Sequence, residues 1–406
     1  MNLLPAACLA ALSAAPLPAA DVTRAPGPPW PRPVIAASSR GADGIKVGDL
    51  NGDGRPDLVT GWEEGGVVRA YLHPGAERVR APWPAVTVGE VKDAEDAVCA
   101  DLDGDGRLEV ISATEGRTRT VYWHRPPAAG ADLLDPRGWT TTAFPALAGR
   151  QPWMQLLPLQ LDGAHGTDLI VAAKGAGSPL GWLQAPADPA DVAAWRFHAL
   201  RPADWVMTLH AHDFDGDGDA DLLFSDRKGA RAGLFWLENP GAAANRAHQP
   251  WREHALGALG REVMFADLAD LDGDGRPEVL AAVKPRDVVI LHPAPTGRWR
   301  EAILTLAAEG LGDAKAVRAA DLNGDGRVDL VYSCEHAHGE REGVVWLERR
   351  ADGGWWQRSL AGAPGVKFDL LQLLDLDGDG DLDVLTCEEA EGLGVIWYEN
   401  PARHRP

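Results

Sequence analysis

Cysteine is nearly missing: the 406 residues hold four. Three of them, Cys99, Cys334 and Cys387, lie beyond the leader-like start of the chain, and an odd number excludes a fully paired disulfide framework. Basic residues are outnumbered 39 to 60, for a net charge of −21. That balance excludes a nucleic acid partner, because phosphate binding needs positive surface. Past the N-terminus no apolar run is long enough to span a membrane, and no stretch sustains a helical period. Methionine is as scarce as cysteine, so the places of the three internal ones are informative.

Glycine and aspartate are abundant, and they come in a phrase. DLNGDGRPDLV at 49–59 returns as DLDGDGRLEVI (101–111), DFDGDGDADLL (213–223), DLDGDGRPEVL (270–280), DLNGDGRVDLV (321–331) and DLDGDGDLDVL (375–385). A worn copy, QLDGAHGTDLIV, stands at 160–171. The seven copies lie 51–59 residues apart, the mark of a repeat architecture. Acids at positions 1, 3 and 5 can fold round one cation, and Gly at 6 permits the sharp turn. The carbonyl at 7 adds an oxygen, and an acid at 9 can close the shell. An EF-hand is excluded, since position 12 is Thr60, Ser112, Phe224, Ala281, Tyr332 or Thr386 and never Glu. Six calcium ions would bring the charge from −21 to about −9.

Each loop leads into a short β-rich run such as DLVTGW (57–62). An apolar run around an aromatic follows, as in GLFWLENP (233–240) and GVIWYENP (394–401). Then comes a second Trp with an apolar residue five positions on, in pairs from Trp30/Ile35 and Trp83/Val88 to Trp355/Leu360. These are strand signals. One unit therefore holds four strands, and seven units predict an all-β, seven-bladed β-propeller with four-stranded blades. The Trp30/Ile35 pair precedes every loop, and no fourth strand follows the last one. An N-terminal strand is thus expected to close the last blade.

The D-x-[DN]-G-D-G-x-x-[DE] loops between strands resemble the FG-GAP/VCBS repeat family over about residues 30–401. No Phe-Gly pair occurs, which makes the chain more similar to the VCBS form than to integrins. The resemblance implies one calcium per complete loop, about six, on one face of the disc. The implied ligands are Asp49, Asn51, Asp53 and Asp57 in the first loop and Asp101, Asp103, Asp105 and Glu109 in the second. Asp213, Asp215, Asp217 and Asp221 follow in the fourth, and Asp270, Asp272, Asp274 and Glu278 in the fifth. Asp321, Asn323, Asp325 and Asp329 serve the sixth, and Asp375, Asp377, Asp379 and Asp383 the seventh. In the third loop Gln160 and Ala164 replace two ligands, which implies no ion there. Partners of the family meet the opposite face.

The start, MNLLPAACLAALSAAPLPAA, is apolar and uncharged and predicts a signal peptide over 1–20. A Pro-rich linker at 21–29, the propeller over 30–401 and a tail at 402–406 complete the expected organisation. The protein is expected to be secreted or periplasmic, and to be a monomer.

Position in the repeat also reads the opposite face. Six residues past each ninth-position acid stand Glu63, Glu115, Lys174, Arg227, Lys284, Glu335 and Glu389, all charged. Six residues before each loop stand Asp43, Glu95, Met154, Met207, Met264, Lys315 and Asp369. The expected rim carries cations and methionines on units three to five and acids on the rest, Lys315 excepted, a two-signed funnel over the axis. Structural roles compete with this reading, since strand ends meet water and Met fills gaps. His210 and His212 are expected as a hydrogen-bonded pair on one side of a strand, and Cys334 and Cys387 as packed thiols.

Two functions follow. The first is a binding module that holds carbohydrate or protein on the face opposite the loops. The alternative is a sugar-active lyase, dehydratase or hydrolase in the same funnel. Lys174, Arg227 and Lys284 would then stabilise an enolate, and Glu63, Glu115, Glu335 or Glu389 would be the base or acid.

Overall fold

A computed structural model describes residues 21–294, 298–307 and 310–402. The signal peptide expected over 1–20 lies outside the described residues, as does the tail beyond Ala402. Among the described residues the chain forms 27 strands, one short helix (Ala242–Arg246) and one 3-10 turn (Pro136–Gly138). It is an all-β propeller.

The first unit shows how the phrase folds. Ala42–Gly48 enters the acidic loop, Asp57–Trp62 leaves it, and Val67–Tyr71 and Ala85–Gly89 follow as antiparallel neighbours in chain order. Asp57–Trp62 is buried along its whole length, because it has strands on both sides and packed faces above and below. Trp62 and Tyr71 fill the core there, joined by an indole N–H to phenol oxygen bond of 2.7 Å.

In every unit the register of the entering strand shifts a few residues before the loop. The shifts fall between Ala94 and Asp96, Trp153 and Gln155, Val206 and Thr208, and Val263 and Ala266. Others fall between Ala314 and Ala316, Phe368 and Leu371, and Asp43 and Lys46. Such bulges re-aim side chains. The residues inside them include Glu95, Met154, Met207, Met264, Lys315 and Asp369, which are the rim positions picked out from the repeat.

The count of sheets corrects the sequence reading. The strands form six hydrogen-bonded sheets, not seven separate four-stranded blades. Units three and four share one six-stranded sheet, because two strands run on where the other units turn. Leu169–Gln184 pairs through its first half with Trp153–Pro158 and through its second half with Arg196–His212. Arg196–His212 then continues from Val206 against Asp221–Asp226. Arg201-Pro202-Ala203 stays extended there, so no turn separates the two repeats.

The ring closes as the Trp30/Ile35 pair requires. Val34–Ala36 pairs antiparallel with Gly394–Tyr398 and becomes the outer strand of the last sheet. The Trp397 amide donates to Pro33 at 3.3 Å and the Glu399 amide to Pro31 at 2.9 Å. The stretch expected as a linker does more than link. Val22–Arg24 lies parallel to Trp355–Ser359 and adds a fifth strand to the sixth unit's sheet.

Between sheets the second Trp of one unit covers the first Trp of its neighbour. Trp195 meets Trp123 and Phe144 edge-on, with ring centroids 6.3 Å and 5.2 Å away. Its indole N–H donates to the Pro189 carbonyl at 2.9 Å. Large buried aromatics of this kind carry much of the apolar stabilisation.

Candidate functional site

The acidic loops are held by their own carboxylates. Asp49 accepts from the amides of Asp53 (3.0 Å) and Gly54 (2.9 Å), and Asn51 accepts from Asp53 at 2.9 Å. Asp53 accepts from the Arg55 amide at 2.9 Å. Gly52 and Gly54 stand at φ 72° and 80°, where a side chain would strain the backbone. The ninth-position acid faces inward. Asp57 is fully buried and accepts from the Leu50 amide (3.0 Å) and the His73 amide (2.8 Å), which ties the loop to the end of the third strand. Asp221, Asp329 and Asp383 make the same double tie. Glu278 makes one amide tie and meets His292 Nδ1 at 3.2 Å instead of a second.

One oxygen each from Asp101, Asp103, Asp105 and Glu109 lie within 4.8 Å of one another, as do oxygens of Asp213, Asp215 and Asp221. An all-oxygen set fits calcium. Burial pushes the carboxyls of Glu109 and Asp383 up to about 8, against the pull of backbone amides and with added crowding from neighbouring acids. A cation would remove that cost.

The third loop is built otherwise. Gln160 Nε2 donates to the carbonyls of Ala164 and Gly166, and its Oε1 accepts from the amides of Asp162 and Gly163. Gly166 is the seventh position, whose carbonyl would face an ion in the other loops. Arg246, at the end of the short helix, donates to the Asp162 carbonyl. Neutral amide and guanidinium donors thus close this loop.

At the other end of the strands the charged positions meet round the axis. Glu335, 5% exposed, gathers three cations: Lys284 in direct contact, Lys315 at 3.8 Å and Arg227 at 3.9 Å. Arg227 also pairs with Glu262 at 2.7 Å and lies 4.4 Å over the Trp205 ring. Lys315 reaches Asp369 at 3.5 Å, Lys174 contacts Glu115, and Lys367 contacts Glu389. Burial opposes ionisation of Glu335, yet Lys315 and Lys284 hold its carboxyl below the usual range. Asp369 is likewise buried and held low, chiefly by Lys315. Burial pushes Glu95 up to about 7 and Glu389 up to about 8. A pocket of ≈10 Å³, scarcely one water, lies among Asp43, Glu95, Met207, Lys315 and Asp369.

A family model for the FG-GAP-like repeat matches residues 49–112, 213–281 and 270–332. These are FG-GAP repeats. No curated protein matches the chain in sequence. Among 253 matching chains of solved structures is the crystal structure of BBS1N in complex with ARL6DN, soaked with lead. It is 13% identical, with a TM-score of 0.51, over 91% of this chain and 95% of that one, a likeness of fold alone.

The FG-GAP period places the expected rim residues together, but it does not keep their charges apart. The two-signed funnel is corrected. Lys174, Arg227 and Lys284 do not face an acidic arc across open space; each is paired with a carboxylate of a neighbouring unit. Met154, Met207 and Met264 are buried and pack round the axis. His210 Nε2 donates to the Ala266 carbonyl (3.0 Å), and burial takes it down to about 4. His212 instead stacks edge-on against Phe214 at 4.8 Å, so the two do not bond as a pair. Burial raises the Cys334 and Cys387 thiols, which are packed and inert.

The repeat frame did not point to Lys367, Lys46 or Trp205. Lys367 follows a Gly-Val after the outer strand, Lys46 reaches Asp96 at 3.7 Å, and Trp205 lies under Lys174, Arg227 and Lys228. A hollow of ≈1090 Å³ was also missed, beside the fourth and fifth FG-GAP loops. Trp236, Trp299, Phe214 and His254 line it with Glu238 and Arg252. Its residues come from two units, so no single repeat displays it.

Proposed function

We propose that this FG-GAP propeller is a calcium-loaded binding module that works outside the cytoplasm. It takes a polar ligand, carbohydrate or protein, on the face opposite the acidic loops. The observation that carries the reading is the ring of half-buried charges, Glu63, Glu115, Lys174, Arg227 and Lys284, brought to one end of the axis from four different sheets. A ligand would rest on this ring, above a pocket among Asp43, Glu95, Lys315 and Asp369 that holds scarcely a water. Binding is favoured over the sugar-active enzyme because each cation that would steady an enolate is already paired with a carboxylate.

Retention of neutral glycans, acidic glycans and soluble proteins on the immobilised, calcium-loaded chain tests this. Lys174→Ala, Arg227→Ala and Lys284→Ala should each weaken retention several-fold, with no product released. Unsaturated product or new reducing ends, lost with one Glu→Gln change at the rim, would overturn the binding module in favour of the enzyme.

A further inference from the structure

The rim charges do not all find partners. Asp43, Glu63 and Glu389 bring one oxygen each to within 4.8 Å of one another, and so do Glu63, Glu95 and Glu115. Glu63 belongs to both sets. The five acids come from the first, second and seventh units, remote in sequence. Lys174 serves Glu115, and Lys367 serves Glu389 through Oε2. No cation lies within 4.0 Å of Asp43, Glu63 or Glu95 among the described residues.

A second observation points the same way. Asp43 is 6% exposed, and among the described residues its carboxylate accepts no N–H donor. Its charge meets those of Glu389, Glu95 and Asp369, while Lys315 and Lys367 act on it from beyond 4.0 Å. Glu389 is 8% exposed, and its Oε1 is buried without a partner. Asp369 Oδ1, in a residue 1% exposed, is buried without one as well. Buried carboxylate oxygens aimed at each other with no donor need a proton or a cation between them.

We propose that Glu63 is the shared ligand of a calcium site on this face, completed by Asp43 and Glu389 on one side and Glu95 and Glu115 on the other. The donors are all hard oxygens. Calcium takes six to eight oxygens in a flexible shell, which carboxylates from three separate units can supply, whereas magnesium demands a near-ideal octahedron. This site is separate from the acidic loops and does not depend on their binding calcium.

The test is calorimetric titration of the chelator-treated chain with calcium chloride, comparing wild type with Glu63→Gln and Glu95→Gln. Circular dichroism checks the fold of each. Both variants should bind one calcium fewer than wild type, whatever the loops contribute. An Asp103→Asn change in the second loop should leave that equivalent intact. In chelator, Glu63→Gln should melt at or above the wild-type temperature, since it relieves repulsion, and it should gain less from added calcium. Equal stoichiometry in wild type and a folded variant would overturn the site and leave shared protons as the means of neutralisation. Loss of calcium binding in Asp103→Asn alone would do the same. If Glu63→Gln fails to fold, Glu95→Gln decides the matter by the same count.

Discussion

The side-chain amide of Gln160 donates to the carbonyl oxygen of Ala164 at 3.1 Å, inside a loop whose six sister copies present a carboxylate at that first position. An NH₂ group does locally what a cation would do in the other loops. Chelation should therefore lower the melting temperature of the protein and spare the third loop. Each loop that binds calcium at 100 times its dissociation constant would contribute about 2.7 kcal/mol. Gln160→Asp should destabilise the chelated protein by about 1–3 kcal/mol, because it removes a donor and adds repulsion. Thermal melts with and without calcium check both statements.

The fifth- and ninth-position acids of a loop do different work. Asp57→Ala should cost about 3 kcal/mol with or without calcium, because it orphans the buried amides of Leu50 and His73. Asp53→Ala, on an exposed loop turn, should cost little in chelator and more in calcium. Denaturant unfolding of the two variants in both buffers separates these roles. Equal calcium dependence would contradict the division.

Glu335 is the counter-charge of the rim. Glu335→Ala should destabilise by about 3–5 kcal/mol, since it leaves Lys284, Lys315 and Arg227 without their shared acid. Adding Lys284→Met should recover part of that loss. A double-mutant cycle read by urea unfolding measures the coupling.

His124 makes the fold sensitive to acid. Burial holds it near 3, while Ser112 and Thr141 take up both ring nitrogens at 2.8 Å and 2.9 Å. Its folded pKa is below its unfolded value of about 6.5, so the unfolded chain binds the extra proton first. Stability from this residue is complete above about pH 6.5 and falls as the pH drops towards 3. The loss should reach about 2 kcal/mol by pH 5. His124→Asn should flatten that part of the stability curve; an unchanged slope would assign it to other groups.

The closing strand should be indispensable. Ile35 is 1% exposed, and its carbonyl accepts from the Trp83 amide at 3.1 Å, so it joins the last unit to the first. Ile35→Ala should cost about 2–5 kcal/mol. Thermal unfolding measures it.

The sequence by itself determined the repeat, its four strands, the acidic loops and the closing role of the Trp30/Ile35 pair. These are local properties: turn chemistry, alternation of apolar residues, and a period that needs no partner to be seen. It also marked the rim positions, because the bulge that aims them recurs in every unit. Only the tertiary structure decided which charges meet. Lys284 finds Glu335 and Glu63 finds Glu95 across the gap between sheets, and no spacing along the chain encodes that distance. The tertiary structure also decided the number of sheets, since extended backbone through Pro202 joins two repeats that the loop phrase counts as separate. Periodicity fixes what each unit contains, while side-chain packing between units fixes what the charged groups can do.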